Sequence, residues 1–226
     1  MNCNVGSRRR LGEPMSMSAR PTVPRLHLIT NRALCGERGQ AAIVAEAACA
    51  GIGAVQLREK DLDLAALLRE ATSLKEVLGV TPLIVNGAPA VAVATGAAGL
   101  HLPGDGGTIA AARAALGPVA LIGRSVHSVE EARSAATDGA DYLIIGTIFA
   151  TASKPGRAPA GLPFVTAVAR AVTIPIIAIG GIDEGNVAAT LAAGAWGVAV
   201  MSGVLAAPDP GAAVRLLQVI IDKENR

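Results

Sequence analysis

Aromatic side chains are almost missing from this chain: two Phe, one Tyr and one Trp among 226 residues. Yet 51% of the residues are hydrophobic. A large core must therefore be built from Ala, Val, Ile and Leu, which suits slim strands covered by Ala-rich helices. Cysteine is also scarce. Cys3, Cys35 and Cys49 are widely scattered, with no C-x-x-C spacing, so neither a disulfide framework nor a zinc site is indicated. A reducing cytoplasm is the default expectation for such a chain. No apolar run reaches the length of a membrane span. The net charge is only +2, too small to argue for nucleic acid or a membrane surface as a partner. The one basic cluster is "SRRR" near the start. Residues 1–25 are polar and lack an apolar secretory core, so they read as a disordered tail. The folded domain is expected over 26–226.

What is present is alternation. Short β-type runs fall at 26–30, 54–58, 82–86, 99–103, 120–126, 142–147, 175–181 and 197–201. Ala-rich stretches of helical length separate them: 39–51, 63–78, 88–96, 108–116, 128–138, 162–171, 184–193 and 211–223. The β-runs are nearly continuous in apolar residues, as in strands of a parallel sheet buried on both faces. Eight β-then-α units in about 200 residues predict a single (β/α)8 TIM barrel. A doubly wound open sheet competes, but the glycine-rich dinucleotide turn is absent after the first β-run. A weak repeat supports the barrel: "AGIGAVQL", "TGAAGLHL", "DGADYLII" and "AGAWGVAV" each put a Gly at a helix stop before the next strand.

Chemistry in such barrels gathers at the C-terminal ends of the strands. "AIGGI" and "AVMSG" end the seventh and eighth runs. A Gly-Gly turn with further backbone N–H groups nearby makes an anion nest, so Gly180, Gly181, Met201 and Ser202 are expected to hold a phosphate. "VQLREK" ends the second run with Gln56, Arg58 and Lys60 on one side of the chain. Cations there would be costly against covering helices and are expected to face the barrel mouth. "TIFATASKPG" follows the sixth run and carries Thr151, Ser153 and Lys154, a set suited to an oxyanion ligand and a lid. "IGRSVHS" places His127, one of only three histidines, between a strand and a helix start. No partner stands at metal-ligand spacing. Ser128 with Glu131 makes a capping box and leaves His127 at the mouth, where imidazole suits proton transfer near neutral pH.

The order VQLREK, LIVN, GLHLP, GRSVHS, GTIFATASKPG, PIIAIGGI and VAVMSG resembles the thiamine phosphate synthase superfamily over residues 26–205. That resemblance implies one of two activities. The synthase branch couples a pyrimidine diphosphate to a thiazole phosphate using magnesium. The TenI-like branch is a thiazole tautomerase that aromatises a thiazole carboxylate phosphate. Where the synthase pattern has metal-binding aspartates, this chain has Gly87 after Asn86, and Gly106 with Asp105 one residue early. Asn-Gly, Leu-Pro and "IGRSVHS" look like the tautomerase branch. The expectation is therefore a metal-free, cytoplasmic thiazole tautomerase that binds a small-molecule thiazole phosphate, with self-association left open. His127 would move the proton, and Ser125 and Asn86 would line the pocket. The synthase, which would use Mg, is the alternative; a non-catalytic thiazole-phosphate-binding regulator is a third reading.

Overall fold

The structure, a computed structural model, describes residues 22–153, 156 and 158–224. Eight parallel strands close on themselves in sequence order: β1 (Leu26–Ile29), β2 (Ala54–Leu57), β3 (Leu83–Asn86), β4 (Gly99–Leu102), β5 (Leu121–Val126), β6 (Tyr142–Gly146), β7 (Ile176–Ile179) and β8 (Gly197–Val200). The expected (β/α)8 barrel is thus the fold. The helices run outside it: α1 (Gln40–Cys49), α2 (Leu64–Leu78), α3 (Pro89–Thr95), α4 (Ile109–Leu116), α5 (Val129–Thr137), α6 (Gly161–Ala171), α7 (Val187–Ala192), α8 (Ser202–Leu205) and α9 (Pro210–Lys223). The short α8 and two 3-10 turns before α1 (Arg32–Leu34 and Gly36–Arg38) are the elements that sequence periodicity did not mark. Each is about one turn long, too short to carry an apolar period.

Period-two alternation splits every strand between two cores. Leu26 and Leu28 of β1, and Ile176 and Ala178 of β7, pack outward against the helices. Ile29 and Ile177 point into the barrel with Ala54, Ile84, Leu121, Tyr142, Ile144 and Ala199. Both faces are buried, which is why the β-runs lack polar alternation. The helix-stop glycines behave as read. Gly96 caps α3 in the left-handed region at φ 57°, and Gly194 has φ 110°.

The tail expected over 1–25 largely lies outside the described residues. From Val23 the chain is already docked on the barrel floor. Val23 is 6% exposed and joins the interior cluster. The Trp196 indole N–H donates to Val23 O at 2.9 Å, and Arg25 stacks over that ring at 5.4 Å. Gly197 makes the approach possible, since a Cβ there would stand 2.1 Å from Arg25 O.

Candidate active site

At the C-terminal ends of the strands lies a cavity of about 450 Å³. Gln56, Arg58, Lys60, Asn86, Ser125, His127, Thr151, Ser153, Gly180, Gly181, Met201 and Ser202 all line it. Every sequence-predicted site residue in the described chain therefore reaches one space. Lys154 lies outside the described residues.

The β2 end supplies the positive charge. Gln56 is buried, Arg58 half-buried and Lys60 exposed. The Arg58 backbone N–H donates to Thr30 Oγ1 at 2.9 Å, which fixes the strand's exit. Burial pulls the Arg58 guanidinium below its ordinary pKa, and the neighbouring Glu59 partly offsets this. The Glu59 carboxylate accepts the Arg32 backbone N–H at 3.2 Å and lines a separate shallow pocket with Asp61 and Gln40. Arg58 and Lys60 form no salt bridge among the described residues.

The opposite wall is made of backbone. Gly180 and Gly181 have φ 102° and 67° and turn the chain sharply after β7. A Cβ on Gly181 would strike Ala150 O at 2.5 Å and Phe149 Cβ at 2.8 Å. The glycine is therefore demanded by the loop after β6, not only by room for a ligand. That loop is tied across the same turn: Ile148 N–H donates to Ile179 O at 3.0 Å and Phe149 N–H to Gly180 O at 2.9 Å. Asn186 locks the turn from behind, donating through Nδ2 to Gly181 O at 2.8 Å and accepting the Asp183 N–H at 3.1 Å. Sequence reading missed Asn186, because only the turn geometry gives it a role.

His127 is exposed at the rim. Ser128 caps α5 by accepting the Glu131 N–H at 3.0 Å. Glu131 reaches back not to Ser128 but to the His127 backbone N–H, at 2.6 Å. The capping box thus fixes the histidine's backbone and leaves its ring to the cavity.

The loop after β4 tests the metal site that the synthase pattern implies. Arg124 holds this loop through Gly106 O at 3.2 Å and Gly107 O at 2.8 Å. At Gly106 a Cβ would lie 2.9 Å from Pro103 Cδ and 3.1 Å from Pro103 O, so a side chain there would require the loop to shift. Gly87 offers no carboxylate either, and Asp105 is the one carboxylate lining the cavity. The described residues contain no cluster of three metal-ligating side chains. This donor set does not fit a paired-carboxylate magnesium clamp.

The cavity floor carries a polar layer whose cross-strand pairings the sequence did not announce, with His101 itself among the lining residues. His101 Nε2 lies 2.8 Å from Ser125 Oγ, and His101 Nδ1 lies 3.3 Å from the Tyr142 hydroxyl. Asn86 Nδ2 donates to Gln56 Oε1 at 3.3 Å. His27 is buried beside Tyr142, with ring centroids 5.6 Å apart. A lone His inside an apolar strand reads as core, and its partners lie 24 and 41 residues away in the chain.

Fold and cavity together define a (β/α)8 barrel whose mouth brings Arg58 and Lys60 into one space with the Gly180–Gly181 turn. The chain belongs to the thiamine monophosphate synthase family, whose model matches residues 26–204. It is 43% identical over 196 residues to a thiamine-phosphate synthase of Roseiflexus castenholzii, covering 85% of this chain and 86% of that one. It is 42% identical to the thiamine-phosphate synthase of Chloroflexus aurantiacus, covering 87% and 92% of the two chains. A thiamine phosphate pyrophosphorylase from Pyrococcus furiosus superposes with a TM-score of 0.79 at 32% identity, over 88% of this chain and 96% of that one. These relatives correct the expected branch. Proteins bearing the synthase name, not the tautomerase name, match the chain nearly end to end. The tautomerase expectation leaned on Gly87, Gly106, the Leu102–Pro103 pair and "IGRSVHS", short motifs at the ends of β3, β4 and β5.

Proposed function

We propose that this chain is a transferase that joins a pyrimidine diphosphate to a thiazole phosphate, giving thiamine phosphate and pyrophosphate. The observation that carries this reading is the 42–43% identity to thiamine-phosphate synthases over at least 85% of both chains. The cavity supports it by offering two separate places for anions, the Arg58 and Lys60 side chains and the Gly180–Gly181 turn.

In this reading the thiazole nitrogen lone pair bonds to the pyrimidine's exocyclic methylene carbon. The C–O bond to the diphosphate breaks, and its electron pair leaves with pyrophosphate. Arg58 and Lys60 take up the leaving negative charge, a task for which positioned cations in a partly desolvated site are well suited. The Gly180–Gly181 turn receives the phosphate of the thiazole, and Gln56, Asn86 and Ser125 orient the two rings. Thr151 and Ser153 on the loop after β6 meet the diphosphate. No step is routed through a metal, because the donor set does not fit one. A cytoplasmic setting belongs to the same reading; no helix among the described residues is long and apolar enough to cross a membrane.

The test is direct. Purified protein is incubated with hydroxymethylpyrimidine diphosphate and thiazole phosphate, in one arm with magnesium and in the other with a chelator. Thiamine phosphate and pyrophosphate should form in equal amounts, with turnover persisting in the chelated arm. Product in neither arm would overturn the transferase. Product only with magnesium would overturn the metal-free part and return Asp105 to consideration as a ligand.

A further inference from the structure

We infer that Tyr142, His101 and Ser125 form a directed hydrogen-bond chain, running from the barrel interior into the cavity floor, that turns the Ser125 hydroxyl proton outward, toward the bound anion. His101 and Tyr142 are then positioning residues, and Ser125 is the group that meets substrate. Naming that anion as the diphosphate rests on the transferase reading. The direction of the chain does not.

The layer is built for this contact. His101, Gly123 and Tyr142 are register partners on β4, β5 and β6. A Cβ on Gly123 would fall 2.5 Å from the Tyr142 hydroxyl oxygen and 2.6 Å from His101 Nδ1. The missing side chain is what lets the two rings meet. Tyr142 is fully buried and His101 is 1% exposed where it lines the cavity, so the contact between them cannot be exchanged for water at little cost.

The direction follows from counting protons. Burial holds the Tyr142 phenol well above its usual pKa, so it keeps its proton. Burial lowers His101 to about 3, so its ring is neutral and carries one N–H. The phenol needs an acceptor. His27 Nδ1 bears a lone pair, since His27 Nε2 donates to Pro24 O at 2.9 Å, but it has no partner within hydrogen-bond geometry. The Gln56 amide lies close enough to the phenol to affect its ionisation. Asn86 Nδ2 donates to Gln56 Oε1, which leaves Nε2 as the group without a partner, and a donor cannot take the phenol proton. His101 Nδ1 therefore accepts from Tyr142. The single N–H of His101 is then on Nε2, and it donates to Ser125 Oγ at 2.8 Å. With its oxygen accepting from below, Ser125 has its own proton free for the cavity it lines.

The tautomer can be read without any substrate. In protein labelled with 15N-histidine, long-range proton–nitrogen correlation should show His101 as the Nε2–H tautomer, neutral from pH 8 down to pH 5. Assignment follows from the signals lost in His101→Gln and His127→Asn. An Nδ1–H tautomer at His101 in the unmodified protein would overturn the chain outright; should His101→Gln not fold, through-bond correlation of the parent supplies the assignment. In the coupled assay, Tyr142→Phe should lower kcat about tenfold with KM within a factor of three. Combined with Ser125→Ala it should cost no more than Ser125→Ala alone, as expected for residues acting as one unit. Additive losses would mean that Tyr142 acts independently of Ser125 and would sink the positioning role. If no transfer is detected at all, the transferase reading fails while the tautomer still decides the hydrogen-bond chain.

Discussion

In the proposed transferase, Arg58 and Lys60 carry the anion chemistry. Arg58 is half-buried without a salt bridge among the described residues, so its charge is held ready for a ligand. Hydrogen bonds to charged groups contribute about 1.5–3 kcal/mol, which is roughly 10- to 150-fold in affinity. Arg58→Ala and Lys60→Ala should each weaken inorganic pyrophosphate binding by at least about tenfold by calorimetric titration, and more at low than at high salt. Unchanged affinity in a folded variant would remove that side chain from the site. His127 has a different standing. Coupling the two rings breaks no C–H bond, so a proton carrier at carbon has no task in the transferase. His127→Asn should keep kcat within about tenfold of the parent. A loss of about 10²–10⁴-fold, the usual worth of a positioned acid–base group, would contradict this and give the imidazole a chemical step.

At the scale of elements, the turn after β7 and the loop after β6 act as one unit, zipped by Ile148 and Phe149 N–H groups onto Ile179 and Gly180. Gly181→Val should therefore do more than fill an anion's place. Its side chain meets Ala150 O and Phe149, and its φ of 67° strains a β-branched residue. We expect both a lower Tm and a loss of phosphate affinity, read by calorimetry of unfolding and of binding. A variant that melts as the parent does while losing only affinity would show that the loop yields freely. Much of this element logic was legible in sequence. Strand ends could be located from the apolar runs, and strand alternation then brought Gln56, Arg58 and Lys60 to one cavity. The glycine junctions marked helix stops such as Gly96. What escaped were pairings across strands. His101 in "GLHLP" gives no local sign that Gly123 leaves it room or that Tyr142 waits beside it. The branch was misread for a related reason: two missing aspartates weigh heavily in a motif and little in a whole barrel.

For the whole molecule, the buried histidines make stability depend on pH. Burial lowers His27 to about 4 and His101 to about 3, against about 6.5 for an unfolded histidine. Between these values the unfolded chain binds more protons than the native one, so stability rises with pH. It is fully present above about pH 6.5, declines as pH falls below that, and is fully lost once pH is below the two folded values. His27 alone would account for a loss of about 3 kcal/mol on full acidification. Urea midpoints should therefore be near level from pH 7.5 to about pH 6.5 and fall steadily from there to pH 4.5, and His101→Gln should flatten the slope. A midpoint that is level over this range would mean that the two rings are accessible to solvent protons in the native state.

The floor of the barrel holds the chain's single tryptophan. Trp196 bonds to Val23 and lies under Arg25, at the opposite end from the cavity. Its emission is thus a built-in spectroscopic reporter of whether the N-terminal segment is seated. A ligand entering the mouth should leave that emission unchanged, whereas peeling away residues 23–25 should shift it to the red as the indole gains water. One optical signal can therefore separate opening of the barrel floor from events at the catalytic end, with no added label.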